Sequence, residues 1–136
     1  MKIKLDPGAY MPERAHTTDA GLDLRTPIGF SIEPGCSAAI DTGVHIQLPP
    51  GTVGMLKSKS GLNVNYGILC EGVIDEGYTG SIVAKLYNHG QYTAFFRAGE
   101  KITQLVVLPC IYVEPEEVEV VSGGERGDDG FGSTGK

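Results

Sequence analysis

Ser81-Ile82-Val83-Ala84-Lys85-Leu86-Tyr87, closed by Asn88-His89-Gly90, is the stretch on which the fold turns. Its apolar side chains recur at strand period and it ends on residues that favour a turn, so it reads as a β-strand with one buried face. The same grammar repeats outward. Lys2 to Leu5, Gly29 to Ile32, Ser37 to Ile40, His45 to Leu48, Val53 to Leu56 and Ile102 to Pro109 alternate or run apolar at strand length. Between them stand Glu33-Pro34-Gly35, Pro49-Pro50-Gly51 and Ala98-Gly99-Glu100, with the chemistry of β-connections. Twenty glycines and eight prolines in 136 residues disfavour a helical bundle. The expected fold is all-β, a many-stranded antiparallel barrel or jelly roll.

One short helix is predicted, starting after Ser60, which can cap it, and ending at Gly67, which can take the left-handed stop. The length suits a single domain. After Val121 the composition shifts to glycine, charge and hydroxyls with one aromatic side chain, Phe131, and such a segment cannot pack alone. The expected organisation is a β-domain over 1–121 and a flexible glycine-rich tail over 122–136.

A net charge of −6 argues against a general nucleic-acid binder, so any phosphate site has to be built locally. Cys36, Cys70 and Cys110 are odd in number and widely spaced, which suggests small buried thiols rather than a disulfide framework or a structural zinc site. The N-terminal residues lack the apolar core of a signal peptide, and no run of about 18 apolar residues occurs, so a cytoplasmic location is expected.

Several segments can carry chemistry. Gly130-Phe131-Gly132-Ser133-Thr134-Gly135-Lys136 has the spacing of a Walker loop up to its lysine, without the strand and helix such a loop requires. Its backbone N–H groups and hydroxyls, with the fork of Arg126, can still close over a triphosphate, and Phe131 can stack on a base. A glycine-rich terminus with no task is the bland alternative. Lys57-Ser58-Lys59-Ser60-Gly61 places two ammonium groups and two hydroxyls ahead of the predicted helix, as either an anion site or a solvated turn. Ile68 to Gly80 reads as a hairpin in which Asp75 is either a general base or a turn former, and Tyr78 can pack on a sugar. Asp23, between Leu22 and Leu24, caps a turn or faces a site from a strand end. His16, His45 and His89 match no zinc spacing, whereas magnesium needs no dedicated protein cage.

Taken in order, these segments resemble the trimeric dUTP pyrophosphatase family, whose five short motifs run from Ala20 to Gly135. They stand here as Ala20-Gly21-Leu22-Asp23-Leu24, Ser58-Lys59-Ser60-Gly61, Gly72-Val73-Ile74-Asp75-Glu76-Gly77-Tyr78-Thr79-Gly80, Gly99-Glu100-Lys101-Ile102-Thr103-Gln104-Leu105, and Arg126-Gly127-Asp128-Asp129-Gly130-Phe131-Gly132-Ser133-Thr134-Gly135. The resemblance implies a distorted jelly-roll homotrimer that hydrolyses dUTP to dUMP and pyrophosphate with Mg2+, keeping uracil out of DNA. It implies Asp75 as the base on the attacking water and Asp23 as a metal contact through water. Lys59, Ser60, Gly61, Gln104, Arg126, Ser133 and Thr134 would hold phosphates. Gly72, Val73, Ile74, Tyr78 and Phe131 would hold uracil and deoxyribose. Each site would draw on three subunits.

The chain departs from the family pattern at Lys59 and Lys101, where arginine is usual, at Thr103, where alanine is usual, and at Gly77, where an acidic residue is common. Lysine lacks the bidentate fork. Two other readings share parts of these motifs: a dCTP deaminase or bifunctional deaminase and pyrophosphatase of the same fold, set apart by its tail, and a dUTP-binding regulatory protein without turnover.

Overall fold

The alternation at Ser81 builds a strand that ends one residue beyond the stretch read above. In the computed structural model, which describes residues 1–121 with Gly123, Gly124 and Gly127, Ile82, Ala84, Leu86 and Asn88 point inward while Val83, Lys85 and Tyr87 face out. In chain order the elements are β1 (Lys2–Leu5), β2 (Gly21–Arg25), β3 (Phe30–Ile32), β4 (Ser37–Gln47), β5 (Thr52–Lys57), α1 (Ser60–Tyr66), β6 (Ile68–Ile74), β7 (Ser81–Asn88), β8 (Ala94–Phe96) and β9 (Lys101–Pro109). Seven strands lie in the order β1-β4-β7-β6-β5-β9-β2, and β3 pairs with β8. The expected all-β, jelly-roll-like architecture with one helix is what forms.

The sheet curls because β6 serves two sets of neighbours. Ile68, Leu69 and Cys70 pair with Asn88, Tyr87 and Leu86 of β7, after which Glu71 to Ile74 pair with β5 instead. The two halves fold over a shared core. Ile40, Val44, Ile46, Ile82, Ala84 and Leu86 come from one half and Leu24, Leu56, Ile74, Ile102 and Leu105 from the other. Burying side chains of this size is the dominant favourable term, at about 1.5–3 kcal/mol each.

Ser37 to Ile40 and His45 to Leu48, expected as two strands, are one strand with an irregularity between Asp41 and His45. There the Thr42 hydroxyl donates to Ile82 O at 2.7 Å, Gly43 takes φ 66°, and Gly43 N–H donates to Asp41 Oδ1 at 2.9 Å. Side chains thus supply the bonds that the ladder drops, as a bulge requires. The strand β8 carried no strand reading in the sequence, β2 realises the strand alternative rather than the turn at Asp23, and the expected hairpin from Ile68 is the strand β6 followed by a turn.

The helix ends as predicted, on Gly67 at φ 68°. A side chain there would meet Gly90 N at 2.7 Å, and one at Gly90 would meet Tyr66 O at 2.3 Å, so both positions need glycine. The expected Ser60 cap does not form. Lys59 occupies the capping position in extended conformation with no side-chain cap, and Ser60 is the first helical residue. Of the cysteines expected to be buried, Cys70 is, whereas Cys110 is half-buried and Cys36 exposed beside a turn; all three are free thiols. No helix among the described residues is long and apolar enough to cross a membrane.

Asn88 is fully buried and satisfied. Its amide donates to Ile32 O at 2.8 Å and Tyr92 O at 2.9 Å, and its Oδ1 accepts from Gly90 N–H at 2.9 Å. Asn88→Leu strands all three backbone groups, and urea unfolding at fixed protein concentration should register a loss of about 2–4 kcal/mol. A loss below about 0.5 kcal/mol would remove Asn88 from the account.

Candidate active site

Strand register sets four polar side chains in one row across the sheet: Asp23 on β2 lies opposite Gln104 on β9, Gln104 opposite Lys57 on β5, and Lys57 opposite Glu71 on β6. Directly opposed residues share a face. Lys57 is spoken for, since its ammonium meets Glu71 at 2.8 Å. Gln104 donates to Ser58 O at 3.0 Å, and its side chain fills the space over Gly21, where any Cβ would collide with it. The glycine of the Ala20–Leu24 segment is thus explained by close approach.

Asp23 is the buried charge of this face. Its carboxylate is only 8% exposed and is held by Lys59 at Oδ1 and by Lys101 at Oδ2, the latter at 2.6 Å. Burial alone would push its pKa up, but the hydrogen bonds and charges of Lys101 and Lys59 outweigh that and hold it below the usual carboxylate range. Two ammonium groups share this one carboxylate, so the triad by itself carries one positive charge in excess. Both lysines that depart from arginine are therefore partners of one carboxylate. The Thr103 departure is equally satisfied: its buried hydroxyl donates to Lys57 O at 2.9 Å and stitches β9 to β5. Ser58 accepts from Cys70 N–H at 2.9 Å and donates to Cys70 O at 3.2 Å, extending the ladder beyond Lys57. Ser60 and Gly61 are exposed on the first helical turn, one and two residues beyond Lys59.

At the far end of β6 the geometry differs. Because Glu71 to Ile74 leave β7 for β5, and β7 pairs with β4 from Ser81 onward, the edges of β6 and β7 part and, among the described residues, make no ladder with each other across the mouth between them. Gly72 and Val73 line it, while Ile74 sends its side chain into the core and offers only backbone. Asp75 follows, exposed, in a turn closed by Tyr78 N–H donating to Asp75 O at 3.0 Å. The Tyr78 hydroxyl donates to Ser81 O at 2.8 Å, and its ring lies over Gly80, where a Cβ would come within 2.5 Å of the hydroxyl. Gly77 has no positive φ and open space around it, so its departure from an acidic residue costs the backbone nothing. Glu76 accepts from Gly51 N–H at 2.9 Å and from the Tyr112 hydroxyl at 2.5 Å.

Register also measures how far apart these two groups lie. Asp75, just past the end of β6, stands four residues from Glu71 in the row of Asp23, and three inter-strand spacings separate β2 from β6. At about 3.3 Å per residue and 4.8 Å per strand, the separation is on the order of 20 Å. One copy of the chain does not bring Asp75 and Tyr78 to Asp23, Lys59 and Gln104. Arg126, Phe131, Ser133 and Thr134 lie outside the described residues.

Among the described residues no group of three or more His, Cys, Asp or Glu could hold a metal. What the residues fit is an ion carried in on a substrate. A hydrated Mg2+ binds through one or two carboxylates and substrate phosphates. Each Asp23 oxygen, with one lysine bound, retains a lone pair for a metal-bound water.

Known proteins carry the same pattern. A family model described as dUTPase matches residues 8–135. The deoxyuridine 5'-triphosphate nucleotidohydrolase of Gloeothece citriformis is 42% identical over 97% of this chain and 93% of its own. That of Clostridium acetobutylicum is 42% identical over 99% and 96%. The dUTPase of Staphylococcus bacteriophage 80alpha, solved with dUPNHPP, superposes with a TM-score of 0.92 at 33% identity, covering 99% of this chain and 98% of that one. A mutant dUTPase of the S. aureus phage phi11, described as revealing coordination of a structural Mg(II) ion, gives 0.80 at 31% identity over 88% and 96%.

His45, which the sequence marked only as lacking zinc spacing, finds its partners far along the chain. His45 Nε2 meets Asp6 Oδ2 at 3.0 Å and Nδ1 meets Thr79 O at 2.9 Å, tying β4 to the loop of Tyr78. Two acceptors on two ring nitrogens favour the imidazolium, so the Asp6 carboxylate first and the Thr79 carbonyl second raise His45 above its ordinary 6.5. The contact's contribution to stability is then fully present below pH 6.5 and lost as pH rises through the folded value. In an NMR titration the His45 ring should titrate above 6.5 and return towards it in Asp6→Asn; titration at or below 6.5 in the unsubstituted protein would contradict the geometry.

Proposed function

The chain belongs to the dUTPase family and hydrolyses dUTP to dUMP and pyrophosphate, and from that premise we propose how its residues divide the work. Asp75 accepts a proton from the attacking water. The new bond joins that water's oxygen to the α-phosphorus, the bond to the bridging oxygen breaks, and pyrophosphate leaves. A positioned base contributes about 10²–10⁴-fold. The parted edges of β6 and β7 give uracil the backbone donors and acceptors of Gly72, Val73 and Ile74, and the Tyr78 ring packs under the deoxyribose. A base with the wrong polar edge would leave those groups unpaired, which is costly.

Lys59, Ser60, Gly61 and Gln104 receive the triphosphate, and the excess charge of the Asp23 triad is the feature that suits them to it. Mg2+, when bound, supplies neutralisation of phosphate charge, with Asp23 holding its waters. Arg126, Ser133 and Thr134 grip the γ-phosphate and Phe131 stacks on uracil as the tail closes and excludes bulk water. The reaction runs in the cytoplasm.

The assembly is supported by the register, which sets Asp75 four residues and three inter-strand spacings from Asp23, about 20 Å along the sheet. A homotrimer reconciles it by placing the Asp75 turn of one subunit over the Asp23 row of the next, with the tail from the third. The deaminase reading loses ground, since the relatives carry the nucleotidohydrolase name.

The purified protein, given Mg2+ and separately dUTP, dCTP, dTTP and UTP, should release dUMP and pyrophosphate from dUTP alone. Asp75→Asn, folded by circular dichroism, should lower kcat by about 10²–10⁴-fold. Turnover of dUTP undiminished in Asp75→Asn would end the assignment of the base, and binding without turnover by the unsubstituted protein would replace the enzyme with a nucleotide sensor.

A further inference from the structure

Three strands stop at the same end of the sheet: β5 begins at Thr52, β6 ends at Ile74 and β9 ends at Pro109, with Thr52 opposite Pro109 and Gly54 opposite Ile74. Beyond that end the ladder no longer fixes the backbone, yet Asp75 is the first residue past it. Among the described residues its turn is closed by a single backbone hydrogen bond, and the space a side chain at Gly77 would occupy is open. Among the described residues no hydrogen bond holds the Asp75 carboxylate itself. Something else has to set its direction.

We infer that Glu76 is the positioning residue for Asp75: its carboxylate clamps the turn to the two neighbouring strand ends. One oxygen, Oε2, takes both donors, the Gly51 amide at 2.9 Å and the Tyr112 hydroxyl at 2.5 Å. The clamp is closed behind them, because Gly51 O accepts from Cys110 N–H at 2.9 Å. A ring of contacts thus runs from Glu76 through Gly51 and Cys110 to Tyr112 and back, beside a cavity of about 300 Å³ lined by Thr52, Val53, Asp75 and Gly77 among others. Gly51 sits at φ 73°, a conformation that suits glycine and presents its amide to the carboxylate. The Tyr112 ring is two-thirds exposed, so core burial does not explain its place; its hydroxyl bond does. Glu76 pushes the Tyr112 phenol up to about 12, which keeps it a donor at any working pH. Both donors in turn hold Glu76 ionised, Tyr112 first and Gly51 second.

The inference rests on Asp75 as the base, and the test separates the two. Steady-state kcat and KM for dUTP are measured for Glu76→Ala, Glu76→Gln and Tyr112→Phe, with Asp75→Asn alongside. A base displaced by about 1 Å can lose 10²-fold, so Glu76→Ala should lower kcat roughly 10- to 100-fold while KM moves less than about threefold. Glu76→Gln keeps an oxygen that accepts from both donors and should recover kcat to within about threefold of the unsubstituted protein. Tyr112→Phe, which removes one exposed hydroxyl and leaves the core untouched, should lower kcat about three- to tenfold and carries the test if Glu76→Ala fails to fold. A kcat within about twofold of the unsubstituted protein in Glu76→Ala or Tyr112→Phe, or a Glu76→Gln as slow as Glu76→Ala, would overturn the clamp while an inactive Asp75→Asn leaves the base in place. An active Asp75→Asn would overturn both.

Discussion

A carboxylate nine-tenths buried between two ammonium groups is the constraint around which this molecule is arranged. Taking Asp23 out of water is unfavourable by several kcal/mol unless its partners are close and well directed. Meeting that condition draws in three elements: β2 supplies Asp23, β9 supplies Lys101, and the residue just ahead of α1 supplies Lys59. The neighbours follow from it. Gly21 leaves room for Gln104, Gln104 and Ser58 hold the chain that carries Lys59, and Thr103 fastens β9 to β5 beneath them. The same arrangement leaves the triad itself with one positive charge to spare in an acidic protein, the property on which the proposed triphosphate role rests.

The second constraint is the divided allegiance of β6. A strand that pairs with β7 for three residues and with β5 for the next four turns a flat sheet into a curled one and opens its own edge in doing so. The open edge proposed to hold uracil and the corner that shapes the core are one feature. Because β6 runs away from the Asp23 row, that feature also carries Asp75 to the opposite end of the sheet. The register thus sets the Asp75 turn and the Asp23 row apart in one chain, which is why the proposed mechanism draws on more than one copy.

Elements with strong local signals were legible in the sequence. The strand β7 announces itself by period two, and Gly67 stops α1 because only a left-handed residue fits against Gly90. Asp41-Thr42-Gly43 looked like a break between two strands, since the hydroxyl bond that carries the strand through it joins residues forty apart. The three residues of β8 are held by a partner far along the chain and nothing local marks them, while Leu22-Asp23-Leu24 in β2 left strand and turn both open. Ser60 had the chemistry of a cap but stands one position too late. For the site, ordered motifs pointed to Asp23, Lys59, Gln104, Asp75 and Tyr78, yet spacing could not say that Lys59 and Lys101 share one carboxylate. The partners of Glu76 lie 25 and 36 residues away, and those of His45 34 and 39, distances at which no pattern in the sequence speaks.

The claim that one site is made by different copies of the chain is tested most directly by mixing two inactive proteins, Asp23→Asn and Asp75→Asn, and measuring dUTP turnover after subunit exchange has been confirmed. In a one-to-one mixture about one quarter of the sites should pair an intact Asp75 turn with an intact Asp23 row, restoring about a quarter of normal activity. No recovery after exchange would place both groups in the service of a single chain and contradict the account.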